Sequence, residues 1–82
     1  MQSLMDKALM GYVELQVGSL KVEIPIRAAG EASPAEPAAK FEMEGDACAI
    51  VVRGDATSKQ VERAMQRAAR EAVRQLSRKL LN

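Results

Sequence analysis

Two runs of strictly alternating side chains, meeting at Gly18-Ser19, restrict this chain more than any other feature of its sequence. In the first run Val13, Leu15 and Val17 point one way while Tyr12, Glu14 and Gln16 point the other. In the second, Leu20, Val22, Ile24 and Ile26 alternate with Lys21, Glu23, Pro25 and Arg27. A period of two belongs to strands with one buried face. Gly18-Ser19 suits a two-residue type II′ turn, whose first position needs a positive φ that glycine adopts without strain. The spacing therefore predicts an antiparallel hairpin. Pro25 has no N–H to donate to a ladder, which places the second strand at a sheet edge or ends it early.

The stretch 28–39 has no periodicity and contains Pro34 and Pro37. It reads as a flexible Ala/Pro/Glu-rich connection inside a single domain spanning 1–82, not as a boundary between two. Phe41 and Met43 then alternate with Glu42 and Glu44, and Gly45-Asp46 turns the chain into a second apolar run over 47–53. There Cys48, Ile50 and Val52 take one phase and Ala49 and Val51 the other, the pattern of a strand covered on both faces. An edge second strand and a central fourth predict the order 2-1-4-3. Thr57 and Gln60 form a capping box that opens a helix over about 58–81. Val61, Ala64, Met65, Ala68, Ala72, Leu76 and Leu80 fall on one broad apolar face of it. Near the start, Ser3, Asp6 and Gly11 carry cap and stop signals for a short helix through Leu4, Met5, Leu9 and Met10. The fold class expected is two-layer α+β. It comprises a four-stranded antiparallel sheet of two hairpins, a long C-terminal helix packed on one face, and a short N-terminal helix.

Such a fold would have a thin core. The chain has 82 residues and is 48% apolar, but 14 residues are alanine and Tyr12 and Phe41 are the only aromatics. Apolar burial at ~25 cal/mol per Å², set against ~1.5 kcal/mol per ordered residue, leaves a domain of this kind near zero net stability. A second copy would supply the missing area. A homo-oligomer, a dimer first of all, is expected, with Leu4, Met5, Leu9, Met10, Ala49 and Val51 at its interface. Cys48 is the sole cysteine, which excludes an internal disulfide, and its neighbours Ala47, Ala49 and Ile50 make it a small buried hydrophobe. No run reaches the ~18–20 apolar residues of a membrane span. Asp6 and Lys7 interrupt any signal-peptide core, so a soluble, cytoplasmic protein is expected.

Histidine, the commonest general base and metal ligand, is absent. Nothing in the chain spells a phosphate-binding glycine loop, a nucleophile elbow or a CxxC pair. Glu42-x-Glu44-x-Asp46 has the spacing of a calcium loop without its further ligands. Arg53-Gly54-Asp55 reads as the turn that leads from strand to helix. No enzyme, no cofactor, no metal and no small-molecule substrate are expected.

Charge is what remains, and it is divided: residues 1–56 carry a net −4 and residues 57–82 a net +5. Lys59, Arg63, Arg67, Arg70, Arg74 and Arg78 fall in an arc of about 100° opposite the apolar face of the helix. Five neighbouring pairs of like charge each cost about 0.2–0.5 kcal/mol in low salt, which Glu71 relieves only in part. Basic residues do suit a helix C-terminus, and a solvated face is the plainest reading. Five of the six cations are arginine, however, the better clamp for carboxylate and phosphate. Against nucleic acid stand a pI near 7.9, the shortage of stacking aromatics, and a stripe bordered by Gln66 alone for reading bases. A membrane surface would need Trp or Phe on the apolar side, where alanine dominates. The ββ-ββ-α order is similar, in topology alone, to purine-rich-element-binding repeats and Whirly-type single-strand binders. None of their residue motifs is present, so no site carries over. The expected function is a non-catalytic, oligomeric adaptor or regulatory module that engages an acidic partner through the basic helix. The alternative is a nucleic-acid-binding protein contacting phosphates through the same six residues.

Overall fold

A computed structural model describes residues 3–29 and 37–81. A 3-10 turn at Leu4–Asp6 leads into β1 (Ala8–Val17) and β2 (Leu20–Ala28), followed by β3 (Ala39–Glu44), β4 (Ala47–Val52) and α1 (Ser58–Leu80). The fold is α+β. Most of the 28–39 connection lies outside the described residues.

β1 and β2 pair antiparallel across Gly18-Ser19, where Gly18 has a φ of 63°. β3 and β4 pair antiparallel across Gly45-Asp46, where Gly45 has a φ of 61°. The two pairs join through β2 and β4, which run parallel at Ile26–Ile50, Arg27–Val51 and Ala28–Val52. The sheet is therefore mixed, not antiparallel throughout, and its order is β1-β2-β4-β3 instead of 2-1-4-3. Pro25 explains the difference. A two-residue turn makes Val17–Leu20 an exchanging pair, and alternate pairs from there leave Tyr12–Pro25 without mutual bonds. The prolyl nitrogen thus faces away from β1, at the position just before β4 begins to pair. One missing donor there interrupts no ladder, so β2 continues to Ala28 and takes a neighbour on each side.

The N-terminal helix expected over 3–10 is a single 3-10 turn. Its local signal is real: the Asp6 carboxylate accepts from Ser3 N at 3.4 Å and from Ser3 Oγ at 3.1 Å. Eight residues are too few to sustain a helix unaided. Ala8 and Leu9 instead pair with Ala28 and Arg27, and the Arg27 guanidinium donates to Lys7 O at 2.9 Å. Met10 is extra in the ladder, since Leu9 faces Arg27 and Gly11 faces Ile26. This bulge reverses the alternation and puts Leu9 on the same face as Tyr12.

Both faces of the sheet are covered, unequally. On one face Ile24, Ile50, Val17, Phe41 and Val52 pack beneath Ala68, Ala72 and Leu76 of α1. On the other, Leu4 sits over Ala49 and Val51, its N–H donating to Glu44 Oε2 at 3.0 Å. The double-phase apolar pattern of β4 is thus satisfied within one chain. α1 runs alongside β3 in the same sense. Its early turns lie beside Ala39 and Phe41, and Lys79 near its end reaches Gly45 O at 3.3 Å and Asp46 Oδ1 at 3.6 Å. Beyond it, Leu81 Cδ1 would lie 2.8 Å from a Cβ built on Gly18.

Gly18→Ala is expected to lose about 1–2 kcal/mol, chiefly from the positive φ. Gly11→Ala, with nothing within 4 Å of its Cβ and an ordinary φ, should change stability by far less. Urea unfolding of both variants measures the difference, and adding Leu81→Ala should not rescue Gly18→Ala.

Candidate functional site

The cationic face of α1 starts from a firmly set helix end. Gln60 N donates to Thr57 Oγ1 at 3.2 Å, and Thr57 N donates to Gln60 Oε1 at 3.0 Å. Two of the orphan N–H groups of the first turn are satisfied in this way. Thereafter alanine governs the contact with the sheet. Ala68 and Ala72 are buried and let the helix approach closely, while Leu76 fills the space further on. With that line of contact set, residues on the opposite arc must face water. Lys59, Arg63, Arg67, Arg70, Arg74 and Arg78 are all exposed. They extend over about 28 Å of helix, at 1.5 Å per residue.

Only one of the six is neutralised. Arg74 donates to both carboxylate oxygens of Glu71, with Nε at 2.9 Å from Oε2, and Gln75 adds a third bond at 2.7 Å. The Arg74 and Gln75 bonds hold the Glu71 carboxyl at about 2, and Glu71 in turn raises Arg74. Among the described residues, no carboxylate lies in ion-pair distance of Lys59, Arg63, Arg67, Arg70 or Arg78. Lys79, seventh of the cations after residue 56, points elsewhere and fastens the helix end to the β3–β4 turn.

Beside the first half of this face lies a groove that the sequence pattern did not indicate. It has a volume of about 660 Å³ and separates the open edge of β3 from α1. Ala39, Lys40 and Phe41 line one side, and Arg63, Ala64, Arg67, Ala68 and Glu71 the other. Arg53 borders it with its guanidinium held by Asp55, Nε–Oδ1 3.0 Å and Nη2–Oδ2 2.9 Å, which lowers the Asp55 carboxyl. The Arg-Gly-Asp tripeptide is closed on itself by that clamp. No local signal could have shown the groove, because it exists only where β3 and α1 come together.

The six residues expected at an oligomer interface divide. Leu4, Ala49 and Val51 pack on one another within the chain. Met5, Leu9 and Met10 stay 61%, 49% and 61% exposed, and Tyr12 joins them at the β1 end of the sheet. Glu42-x-Glu44-x-Asp46 does not converge: Glu44 turns to Leu4 and Asp46 to Lys79. Burial pushes the Cys48 thiol up, so it stays protonated among core side chains. Among the described residues, no helix is long and apolar enough to cross a membrane. No family model, curated protein or solved structure matches the chain.

The Glu71 clamp gives a pH signature. A carboxyl held at about 2 when folded, against an ordinary 4.5, stabilises the fold fully above that ordinary value. The contribution disappears as pH falls through about 2. Glu71→Gln should therefore have a slightly lower Tm than the parent at pH 6, and the two should converge as pH approaches 2 in a thermal-melt series. The gap is small, because both partners are in contact with water.

Proposed function

We propose that this chain is a non-catalytic, oligomeric interaction module whose cationic helix engages an acidic protein surface. The observation that carries the reading is the row of five cations without an ion-pair partner among the described residues, on a helix whose other face is committed to the sheet. Repulsion along the row lowers stability, and among the described residues Glu71 alone relieves it by an ion pair. Such a surface gains when an anionic partner docks, and arginine suits paired carboxylates. A nucleic-acid strand is the weaker alternative. Phe41, though it borders the groove, is only 8% exposed, and Tyr12 projects from the face of the sheet opposite α1, so neither aromatic offers an open ring face beside the stripe.

Assembly uses the other end of the sheet. β1 is an edge strand of ten residues with Glu14 as its one charge. Long edges with few charges invite pairing with a second copy. Met5, Leu9, Met10 and Tyr12 supply apolar area there, and a dimer would present two cationic helices to one partner, raising its avidity.

Two measurements test these readings. In fluorescence anisotropy across a salt series, poly-L-glutamate should bind more tightly than a random DNA single strand or duplex of equal charge. The triple variant Arg63→Gln, Arg67→Gln, Arg70→Gln should lose at least tenfold. A preference for DNA, with log Kd changing by about 4.5 per decade of salt for roughly five phosphates, would transfer the site to nucleic acid. For assembly, sedimentation at micromolar concentration should show a dimer that Leu9→Lys with Met10→Lys converts to monomer. A parent chain that sediments as a monomer removes the oligomer.

A further inference from the structure

The groove between β3 and α1 has the parts needed to take a polypeptide in extended form. β3 is an edge strand in the sheet order β1-β2-β4-β3. Its pairing with β4 closes on Glu44–Ala47, so Glu44, Glu42 and Lys40 exchange bonds with β4. The N–H and C=O groups of Met43, Phe41 and Ala39 consequently face the open side. A chain laid along that edge would complete the ladder and lie in the space walled by α1.

Charge and spacing then select the chain. Arg63 and Arg67 line the helix side of the groove and are exposed. Residues four apart on a helix are about 6 Å apart along its axis. Alternate residues of a strand, which share one face, are about 6.6 Å apart. Because α1 runs alongside β3, the two repeats are nearly in step. A strand whose helix-facing side chains are carboxylates at alternate positions can therefore meet both guanidinium groups at once. The intervening side chains point to the other face of the sheet and meet no part of the stripe.

We infer that the groove binds an extended acidic segment of a partner protein, with Asp or Glu at alternate positions, added as a fifth strand beside β3. This rests on the proposed function and makes it specific. The partner offers a strand, and the recognised pattern is acidic-x-acidic.

The test uses seven-residue capped peptides and the intact protein. Ac-Thr-Glu-Val-Glu-Val-Glu-Thr-NH2 should bind at least tenfold more tightly than Ac-Thr-Glu-Glu-Val-Val-Glu-Thr-NH2, which has the same composition and charge but no two Glu at alternate positions. N-methylation of alternate residues should abolish binding in one phase and be tolerated in the other, because only one set of N–H groups can face β3. Arg63→Gln with Arg67→Gln should lose at least tenfold, and Lys7→Gln with Lys21→Gln, which removes two cations that lie off α1, should stay within twofold. Circular dichroism confirms that the variants fold. Equal binding of the two peptides, equal tolerance of both methylation phases, or equal loss in both double variants would overturn the strand-addition inference. If poly-L-glutamate still binds in that event, the general acidic-partner reading survives it. If poly-L-glutamate fails as well, both fall.

Discussion

Three residue pairs hold this fold together: Ile26–Ile50, Arg27–Val51 and Ala28–Val52. Among the described residues they are the only parallel register, and they join two antiparallel halves that would otherwise be separate two-stranded ribbons, marginal on their own. Ala39 pairs with Val52 from the other side, so Ala28, Val52 and Ala39 stand level across three strands. The ladder continues past the strand ends, with Ala29 N donating to Val52 O and Arg53 N to Ala38 O, both at 2.9 Å. By taking the place between β2 and β3, β4 becomes the one strand covered from above and below. It also sends β3 and β1 to opposite edges, which separates the surface proposed for a partner from the surface proposed for a second copy.

The thinness of the core shapes the surface. Ala39, Ala49, Ala68 and Ala72 are all buried, Ala49 beneath Leu4 and the other three in the core shared by α1 and the sheet. On α1 the buried contact is a strip of Ala68, Ala72 and Leu76 flanked by half-buried apolar residues, and the outer arc of the helix is left to polar groups. Here that arc is filled almost wholly with one sign of charge. Among the described carboxylates, Glu44 and Asp46 are occupied in fastening the 3-10 turn and the helix end, and Glu71 in clamping Arg74.

What could be read before folding is what neighbours in the chain determine. The Thr57–Gln60 box, the extent of α1, its apolar and cationic faces, and the positive φ at Gly18 all follow from relations within about four residues. Those relations hold in almost any tertiary setting. The short N-terminal helix was the local reading that failed, since its cap signals competed with the pairing of Ala8 and Leu9 to residues about twenty positions on. Gly11 stops no helix; it follows a bulge, and glycine in a strand is itself a sign of such an irregularity.

Sequence alone, then, determined the helix, its charged arc, the apolar phases of the strands and the scarcity of large core side chains. Tertiary structure alone decided that β2 and β4 run parallel, that Leu4 closes the second face from within the chain, and that an edge strand lies beside two exposed arginines. The division has a physical cause. Periodicity specifies which face of an element is buried, but not which element it is buried against. Pro25 shows how little separates the alternatives: counting pairs back from the turn at Gly18-Ser19, its missing N–H lies on the side away from β1, where a second neighbour would need a donor. β2 takes that neighbour because β4 begins to pair one residue later, at Ile26.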